Sequence, residues 1–152
     1  MSTVLIESRA LTDPELAALV TSQQREIQDA DGGVDGQVFP ILDDARYLVG
    51  VVEGRAVACG AVQPIDADTA EIKRMYVRPA FRGQGLAGQL LTALEELALS
   101  KGHQVLRLET GGYPPAAIAL YAGTGYGEIP VYGRYVGNPF SRCFEKRLPV
   151  AA

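Results

Sequence analysis

The chain carries Arg82-Gly83-Gln84-Gly85-Leu86-Ala87-Gly88 between a polar predicted strand and a strongly amphipathic predicted helix. The first N–H groups of a helix have no partner inside the helix and carry partial positive charge. Glycines at that point let an anion approach the backbone closely. We therefore interpret the stretch as a phosphate-binding turn rather than as a connector that serves chain geometry alone.

Two other phosphate-binding motifs fit this turn less well. Gly83, Gly85 and Gly88 match G-x-G-x-x-G, and Glu109 lies about twenty residues further on, where a Rossmann fold has its ribose-binding acid. A Rossmann turn follows a buried, apolar strand at once, whereas this strand is polar and residues 78–82 intervene. The chain after Glu109 is also too short for the rest of a doubly wound sheet. No Gly-Lys-Ser or Gly-Lys-Thr follows, which excludes a Walker turn.

Hydrophobic periodicity and turn residues predict the elements around the turn. The predicted strands cover residues 3–9, 47–53, 55–62, 70–77, 105–110, about 127–132, and 141–148. The predicted helices cover residues 14 to about 29, 85–100, and 114 to about 123. Thr12 and Glu15 have the spacing of a capping box for the first helix, and Glu53-Gly54 has the composition of a hairpin turn. This order predicts an α/β fold, a mixed and mostly antiparallel sheet with helices on both faces, forming one domain over residues 1–152.

The composition is that of an ordinary globular protein, with 47% apolar and 21% charged residues. A net charge of −4 argues against binding to nucleic acid, which needs a concentrated basic surface. No apolar run approaches the ~20 residues of a membrane-spanning helix, and no secretion signal is visible. We therefore expect a cytoplasmic protein that binds neither nucleic acid nor membrane.

The chain has two cysteines and one histidine. Cys59 and Cys143 are isolated in sequence, so they predict neither a disulfide framework nor a zinc site. We expect both thiols to be small packing residues, and we expect no metal. His103 follows Gly102 in a predicted turn, where we expect it to be exposed and without a role.

The glycine-rich turn resembles the pyrophosphate-binding turn of the GNAT superfamily of acyl-CoA N-acyltransferases. The superfamily pattern is R/Q-x-x-G-x-G/A, which Arg82, Gly85 and Ala87 match. The preceding residues 71–79, Glu-Ile-Lys-Arg-Met-Tyr-Val-Arg-Pro, are similar to the superfamily's fourth strand.

A second motif downstream supports the same resemblance. Leu108-Glu109-Thr110, the helix-forming residues 116–121, and Gly125-Tyr126 are similar to the superfamily's fifth strand, fourth helix and following turn. The resemblance covers residues 47–148 well and the N-terminal third in outline. It implies a GNAT-like fold and an N-acetyltransferase that moves the acetyl group of acetyl-CoA to a primary amine by direct attack in a ternary complex.

The resemblance also implies where acetyl-CoA binds. Backbone N–H groups of residues 83–88 would bind the pyrophosphate, and residues 75–77 would lie along the pantetheine arm. In the superfamily the fourth strand splays away from the fifth, so that a free N–H near Val77 would polarise the thioester carbonyl. The implied cofactor-binding residues are Met75, Tyr76, Val77, Arg82, Gly83, Gln84, Gly85, Leu86, Ala87 and Gly88.

The same comparison implies the catalytic groups. Tyr121 matches the superfamily's usual general acid. A phenol has a pKa of ~10 against ~8.5 for a thiol, so it is protonated at neutral pH and can donate its proton as thiolate charge develops. Glu109 and Glu71 are alternative general bases, and a water chain is a third. The non-catalytic alternatives are that Tyr121 is a packing residue and that Glu109 and Glu71 are solvated carboxylates at strand ends.

Several features stay open at this level. The acceptor amine is not identified, and a non-catalytic acyl-CoA-binding regulatory module is the alternative function. The oligomeric state is also open, with a homodimer as one alternative. Pro114 occupies the place of an asparagine that binds pantetheine in several relatives, so that contact must be lost or come from elsewhere, for which Tyr113 is a candidate.

An acidic stretch follows the first predicted helix. We expect it to recruit a cationic amine such as a polyamine or to act as a solvated loop that favours solubility. In the first case the KM of a polyamine should rise with salt. The carboxylates of this stretch are Asp29, Asp31, Asp35, Asp43 and Asp44.

Overall fold

The computed structural model of the chain describes residues 3–30, 44–110 and 115–149. The strands are β1 (Val4–Arg9), β2 (Arg46–Val52), β3 (Arg55–Pro64), β4 (Thr69–Val77), β5 (Val105–Thr110), β6 (Gly127–Ile129) and β7 (Arg142–Arg147). The helices are α1 (Pro14–Ala30), α2 (Leu86–Ser100) and α3 (Pro115–Gly123), with single 3₁₀ turns at Pro79–Phe81 and Gly133–Tyr135.

The strands form one mixed sheet in the order β1-β2-β3-β4-β5-β7-β6. Strands β1 to β4 are antiparallel neighbours, as the hairpin signal predicts. The β4–β5 pair is parallel, because α2 crosses over between them, and β7 returns antiparallel between β5 and β6. The predicted mixed α/β fold is therefore confirmed.

Each face of the sheet is covered by a helix. On one face, Leu16 and Leu19 of α1 pack against alternate residues of β2 and β3, among them Val49 and Cys59. On the other face, α2 and α3 cover a larger cluster that includes Leu94. Burying one leucine fully contributes about 1.5–3 kcal/mol, so these rows hold the three layers together. None of the helices within the described ranges has the length and apolar character needed to cross a membrane.

The start of α1 differs from its prediction. Pro14 occupies the first helical turn as expected, but Asp13 is the cap, because its Oδ2 accepts a hydrogen bond from the Leu16 N–H at 2.9 Å. The Thr12–Glu15 capping box is wrong. Glu15 instead accepts a hydrogen bond from the Ala56 N–H of β3 at 2.8 Å, which ties the helix start to the sheet.

The turn residues confirm the predicted hairpin, and one strand is shorter than predicted. Glu53 and Gly54 both have positive φ, 50° and 80°, which matches the twist of a tight hairpin between β2 and β3. Strand β6 ends at Ile129 rather than near residue 132, because Pro130 has no N–H to donate to a ladder.

The predicted environment of the cysteines is confirmed and that of the histidine is wrong. Cys59 and Cys143 are both fully buried, and burial raises the pKa of Cys59 to about 12. His103 is only 6% exposed, because its N–H bonds to the Ala98 carbonyl and folds the chain back beneath the end of α2. Its Nδ1 is buried without a hydrogen-bond partner.

Candidate active site

The glycine-rich turn leaves the N-terminus of α2 open. Gly83 and Gly85 have φ of +76° and +79°, and a Cβ built on either would meet no atom within 4 Å. Gly85 is the N-cap and supplies no side chain to the first N–H groups of the helix. Positive φ strongly favours glycine, and uncapped N–H groups facing open space suit an anionic ligand.

Strands β4 and β5 separate next to this turn. They pair only from Thr69 opposite Val105 to Ile72 opposite Leu108, although β4 continues to Val77 and β5 to Thr110. The predicted splay is therefore confirmed. We call the space between the unpaired ends of these two strands the β4–β5 gap.

A β-bulge in β4 sets which side chains border the gap. Three steps along β4, from Lys73 to Tyr76, lie opposite only two steps of β3, and Arg74 has φ of +59°. The extra residue reverses the alternation, so that Met75 and Val77 pack with the α2 cluster while Tyr76 joins the α1 cluster. Gly60 makes room for it, since a Cβ there would lie 2.8 Å from the Met75 sulfur.

The backbone of Val77 faces the gap. The Arg78 N–H donates to the Val57 carbonyl of β3 at 2.9 Å, and successive residues of a strand point their polar groups to opposite edges. The N–H and C=O of Val77 therefore point toward β5, where the ladder has already ended. The carbonyl accepts a hydrogen bond from Arg82 Nε at 2.8 Å, and the described strands offer the N–H no partner.

Tyr121 of α3 belongs to the same apolar cluster as Met75 and Val77. It is 6% exposed and packs edge-on against Tyr126, with ring centroids 5.8 Å apart. Burial raises the pKa of Tyr121 to about 12, because the phenolate would lose its hydration. The hydroxyl is therefore protonated at neutral pH.

Glu71 lies in a buried polar cluster on the opposite face of the sheet. It is 6% exposed, and one of its oxygens accepts hydrogen bonds from the Tyr135 and Tyr132 hydroxyls at 2.7 and 2.9 Å. The Lys73 ammonium lies 3.4 Å from the other oxygen. Burial lowers the pKa of Lys73 and raises the pKa of Tyr132 and of Tyr135. Glu71 thus connects β4 to the segment between β6 and β7.

Glu109 lies on the same face as Glu71, at the unpaired end of β5. It is half-buried and accepts a hydrogen bond from the Ser141 hydroxyl at 2.5 Å. Because it extends past the last β4–β5 pair, it borders the gap on the side opposite Tyr121.

Comparisons with known proteins identify this arrangement. A model of the acetyltransferase (GNAT) family matches residues 13–126. The chain belongs to the GNAT acetyltransferase family. It is similar to an IAA acetyltransferase from Azospirillum brasilense, with 39% identity over 107 residues that span 69% of each chain.

Solved structures agree with this membership. A protein from Klebsiella pneumoniae subsp. pneumoniae, assigned to the acyl-CoA N-acyltransferases, has a TM-score of 0.83 and 36% identity over 97% of this chain and 98% of its own. A GNAT family acetyltransferase from Elizabethkingia anophelis, solved with acetyl-CoA bound, shares the fold with a TM-score of 0.74 and 19% identity over 95% and 98%. The chain is therefore a GNAT acetyltransferase, and its fold is one that holds acetyl-CoA in the Elizabethkingia anophelis protein.

In this GNAT domain the predicted cofactor residues occupy two adjoining segments. Residues 83–88 form the open turn, and residues 75–77 form the unpaired end of β4. The Arg82 side chain differs from its neighbours, because it turns away from the turn to contact the Val77 carbonyl and Glu26 of α1. Tyr121 and Glu109 lie on opposite faces of the sheet at the β4–β5 gap, whereas Glu71 lies in the paired part of β4.

Sequence reasoning missed the contribution of α1. Ser22, Gln23 and Glu26 all donate to or accept from the end of β4 and the turn beyond it. Glu26 follows Gln23 by three residues and Ser22 by four, which is the available signal of a shared helix face, but only the fold shows what that face contacts. Pro114, Tyr113, Asp31, Asp35 and Asp43 lie outside the described residues. Within the described part, no group of three or more His, Cys, Asp or Glu side chains could hold a metal ion.

Proposed function

We propose that this GNAT acetyltransferase transfers the acetyl group of acetyl-CoA directly to a primary amine in a ternary complex. The observation that carries the proposal is the β4–β5 gap, where the donor edge of Val77, the uncapped start of α2 and the Tyr121 cluster adjoin. A thioester laid along β4 would have its pyrophosphate at the helix N-terminus and its carbonyl at the strand's free N–H.

Each group has a distinct part in the proposed transfer. The amine nitrogen attacks the thioester carbonyl carbon, a C–N bond forms, and negative charge on the oxygen is stabilised by the Val77 N–H. The C–S bond then breaks, and Tyr121 gives its proton to the departing thiolate. The amine loses its proton to a base, and the products are an amide and free CoA.

Glu109 is the base we propose. An alkylammonium with a pKa of ~10.4 must lose a proton before or during attack, so a carboxylate at the gap is useful. Glu71 is less suited, because two tyrosine hydroxyls and a lysine ammonium already occupy its oxygens in a buried cluster. Glu109 is half-buried at the unpaired end of β5.

Release of CoA tests the function. Acetyl-CoA would be incubated with the protein and a panel of amines that includes polyamines, amino acids and short peptides, with a thiol reagent and mass spectrometry as readouts. Direct attack predicts intersecting lines in double-reciprocal plots of the initial rate when the concentrations of both substrates are varied. Parallel lines would indicate a covalent acetyl-enzyme instead, and tight acetyl-CoA binding without CoA release for any amine would favour a regulatory acyl-CoA-binding module.

A further inference from the structure

The end of β4 has carbonyl groups that have lost their partners in β5. In a continued ladder these oxygens would accept hydrogen bonds from β5, but pairing stops at Ile72. Here side chains replace the strand. Gln23 Nε2 donates to the Met75 carbonyl at 2.8 Å, and Arg82 Nε donates to the Val77 carbonyl at 2.8 Å.

Glu26 holds Arg82 in this position. Both carboxylate oxygens of Glu26 accept from Arg82 Nη2, at 2.7 and 2.9 Å. The guanidinium also lies over the Tyr76 ring, 5.5 Å from its centroid, and the Tyr76 hydroxyl donates to Glu26 at 3.2 Å. A guanidinium is a planar fork, so fixing its Nη2 end and its face also fixes where Nε points.

These contacts change the chemical character of the gap. With the carbonyls of Met75 and Val77 occupied from the side of α1, the edge that remains presents N–H donors. An edge with occupied acceptors and available donors attracts a carbonyl oxygen, and that preference strengthens as charge develops on the oxygen. The direction of a backbone N–H depends on the orientation of its own residue. A hydrogen bond to the carbonyl oxygen of that residue restrains this orientation.

We propose that Gln23 and Glu26 of α1 are positioning residues for acetyl transfer. Gln23 acts through the Met75 carbonyl, and Glu26 acts through Arg82 and the Val77 carbonyl. Together they aim the unpaired N–H of Val77 at the thioester. This inference rests on the proposed function, because it concerns the same gap and the same acyl donor.

Two observations separate this role from ordinary packing. The Glu26–Arg82 pair is 44% and 45% exposed, and an ion pair that exposed contributes little to folding stability. Gln23 has its Oε1 buried without a partner while its Nε2 is bonded to Met75. A half-buried amide whose buried oxygen stays unsatisfied while its nitrogen is bonded calls for a functional explanation.

The test compares Glu26→Ala with Glu96→Ala. Both glutamates are exposed residues of helices, and within the described residues Glu96 has no hydrogen bond or ion pair, so the control matches the charge change and the gain in helix propensity. We expect Glu26→Ala to lower kcat about ten-fold, since loss of a whole oxyanion donor costs ~10²–10³ and here the donor is only misaligned. The KM for acetyl-CoA and the thermal midpoint should stay near the wild-type values, and Glu96→Ala should change neither kcat nor KM.

A spectroscopic measurement isolates the carbonyl itself. In the difference infrared spectrum of acetyl-CoA labelled with ¹³C at the thioester carbon, the bound carbonyl band of the wild type should lie below its position in water. In Glu26→Ala and in Gln23→Ala it should return toward the free position. An unchanged band and kcat in both variants would overturn the inference while leaving the proposed function intact. A wild type that binds no acetyl-CoA, or shows no shifted band, would overturn the proposed function and this inference with it.

Discussion

Burial gives Tyr121 its proposed chemistry. A phenol in water has a pKa of ~10, and burial in the α2 cluster raises the pKa of this hydroxyl to about 12. A higher pKa makes Tyr121 a weaker acid, but it keeps the hydroxyl protonated until negative charge develops beside it. The departing thiolate is the base that the proposed reaction supplies at that point.

Tyr121→Phe should separate binding from catalysis. The change removes one oxygen, so the Kd for acetyl-CoA should stay within about two-fold, while kcat should fall ~10²–10⁴-fold through loss of general acid catalysis. Tyr126→Phe is the matched control, because Tyr126 lies in the same aromatic group but its hydroxyl bonds to Glu95 at 2.8 Å. Equal kcat losses in the two variants, measured by CoA release, would contradict the assignment.

Glu109 and Glu71 should respond differently to the same substitution. Glu109→Gln is expected to lower kcat at least ten-fold, with little change in the free energy of unfolding. Glu71→Gln is expected to destabilise the fold by about 3 kcal/mol, because the Lys73 ammonium loses its buried charge partner.

Urea unfolding and CoA release measure the two effects separately. If Glu71→Gln keeps full stability but loses activity, the base assignment must be exchanged between these two carboxylates.

Residue roles differ in how far sequence can predict them. Tyr121 and Gly85 are found by a motif, because the chemistry needs those residue types at that spacing. Glu26 lies 56 positions before Arg82, so only the folded sheet brings the pair together. The local turn signal predicts an exposed His103, because that signal carries no information about the helix that closes over it.

At the scale of elements, the turn and the first residues of α2 act together. Their function needs a backbone in the left-handed region and space above the N–H groups, and Gly85 supplies both. A similar φ and the same open space occur at Gly102, at the far end of the helix, where no ligand is expected. The two ends of α2 therefore allow a controlled comparison.

Gly85→Val should weaken acetyl-CoA binding beyond any loss of stability. Valine at a φ of +79° is strained, and its side chain would extend into the open space above the helix N-terminus. Gly102→Val introduces the same strain, at a φ of +91° and with nothing within 4 Å, at the other end of α2. We expect comparable losses in thermal midpoint but at least a ten-fold weaker Kd by calorimetry only for Gly85→Val. Equal Kd values for acetyl-CoA in the two variants would contradict the binding of the pyrophosphate at this turn.

Periodicity predicted the long elements of the fold, and the irregular ones escaped it. Helix α2 has a leucine row at helical spacing, and β5 has a short apolar run, so the sequence predicts the bounds of both within a residue. The bulge in β4 has no local signal, because Arg74 is not a residue typical of positive φ. Its cause lies on the neighbouring strand, where only a glycine at position 60 leaves room for Met75.

The whole molecule contains several buried phenols in addition to Tyr121. The pKa of Tyr126, Tyr132 and Tyr135 is raised by burial and by hydrogen bonds to carboxylates. In the unfolded chain each phenol titrates near ~10. Folding therefore keeps protons on these groups at a pH at which the unfolded chain would release them.

Stability should consequently fall as the pH rises above 10. Between pH ~10 and about 12 the folded state holds more protons than the unfolded state, so the unfolded state is favoured by raising the pH. Each phenol that stays protonated in the folded state lowers the free energy of unfolding by about 1.4 kcal/mol per pH unit in this range. Below pH 9 this effect is absent. Urea midpoints measured between pH 8 and 11 should be flat and then fall steeply. In Tyr121→Phe the stability should fall less steeply with pH, because one phenol no longer contributes. An identical slope in both proteins would mean that Tyr121 titrates as it does in water.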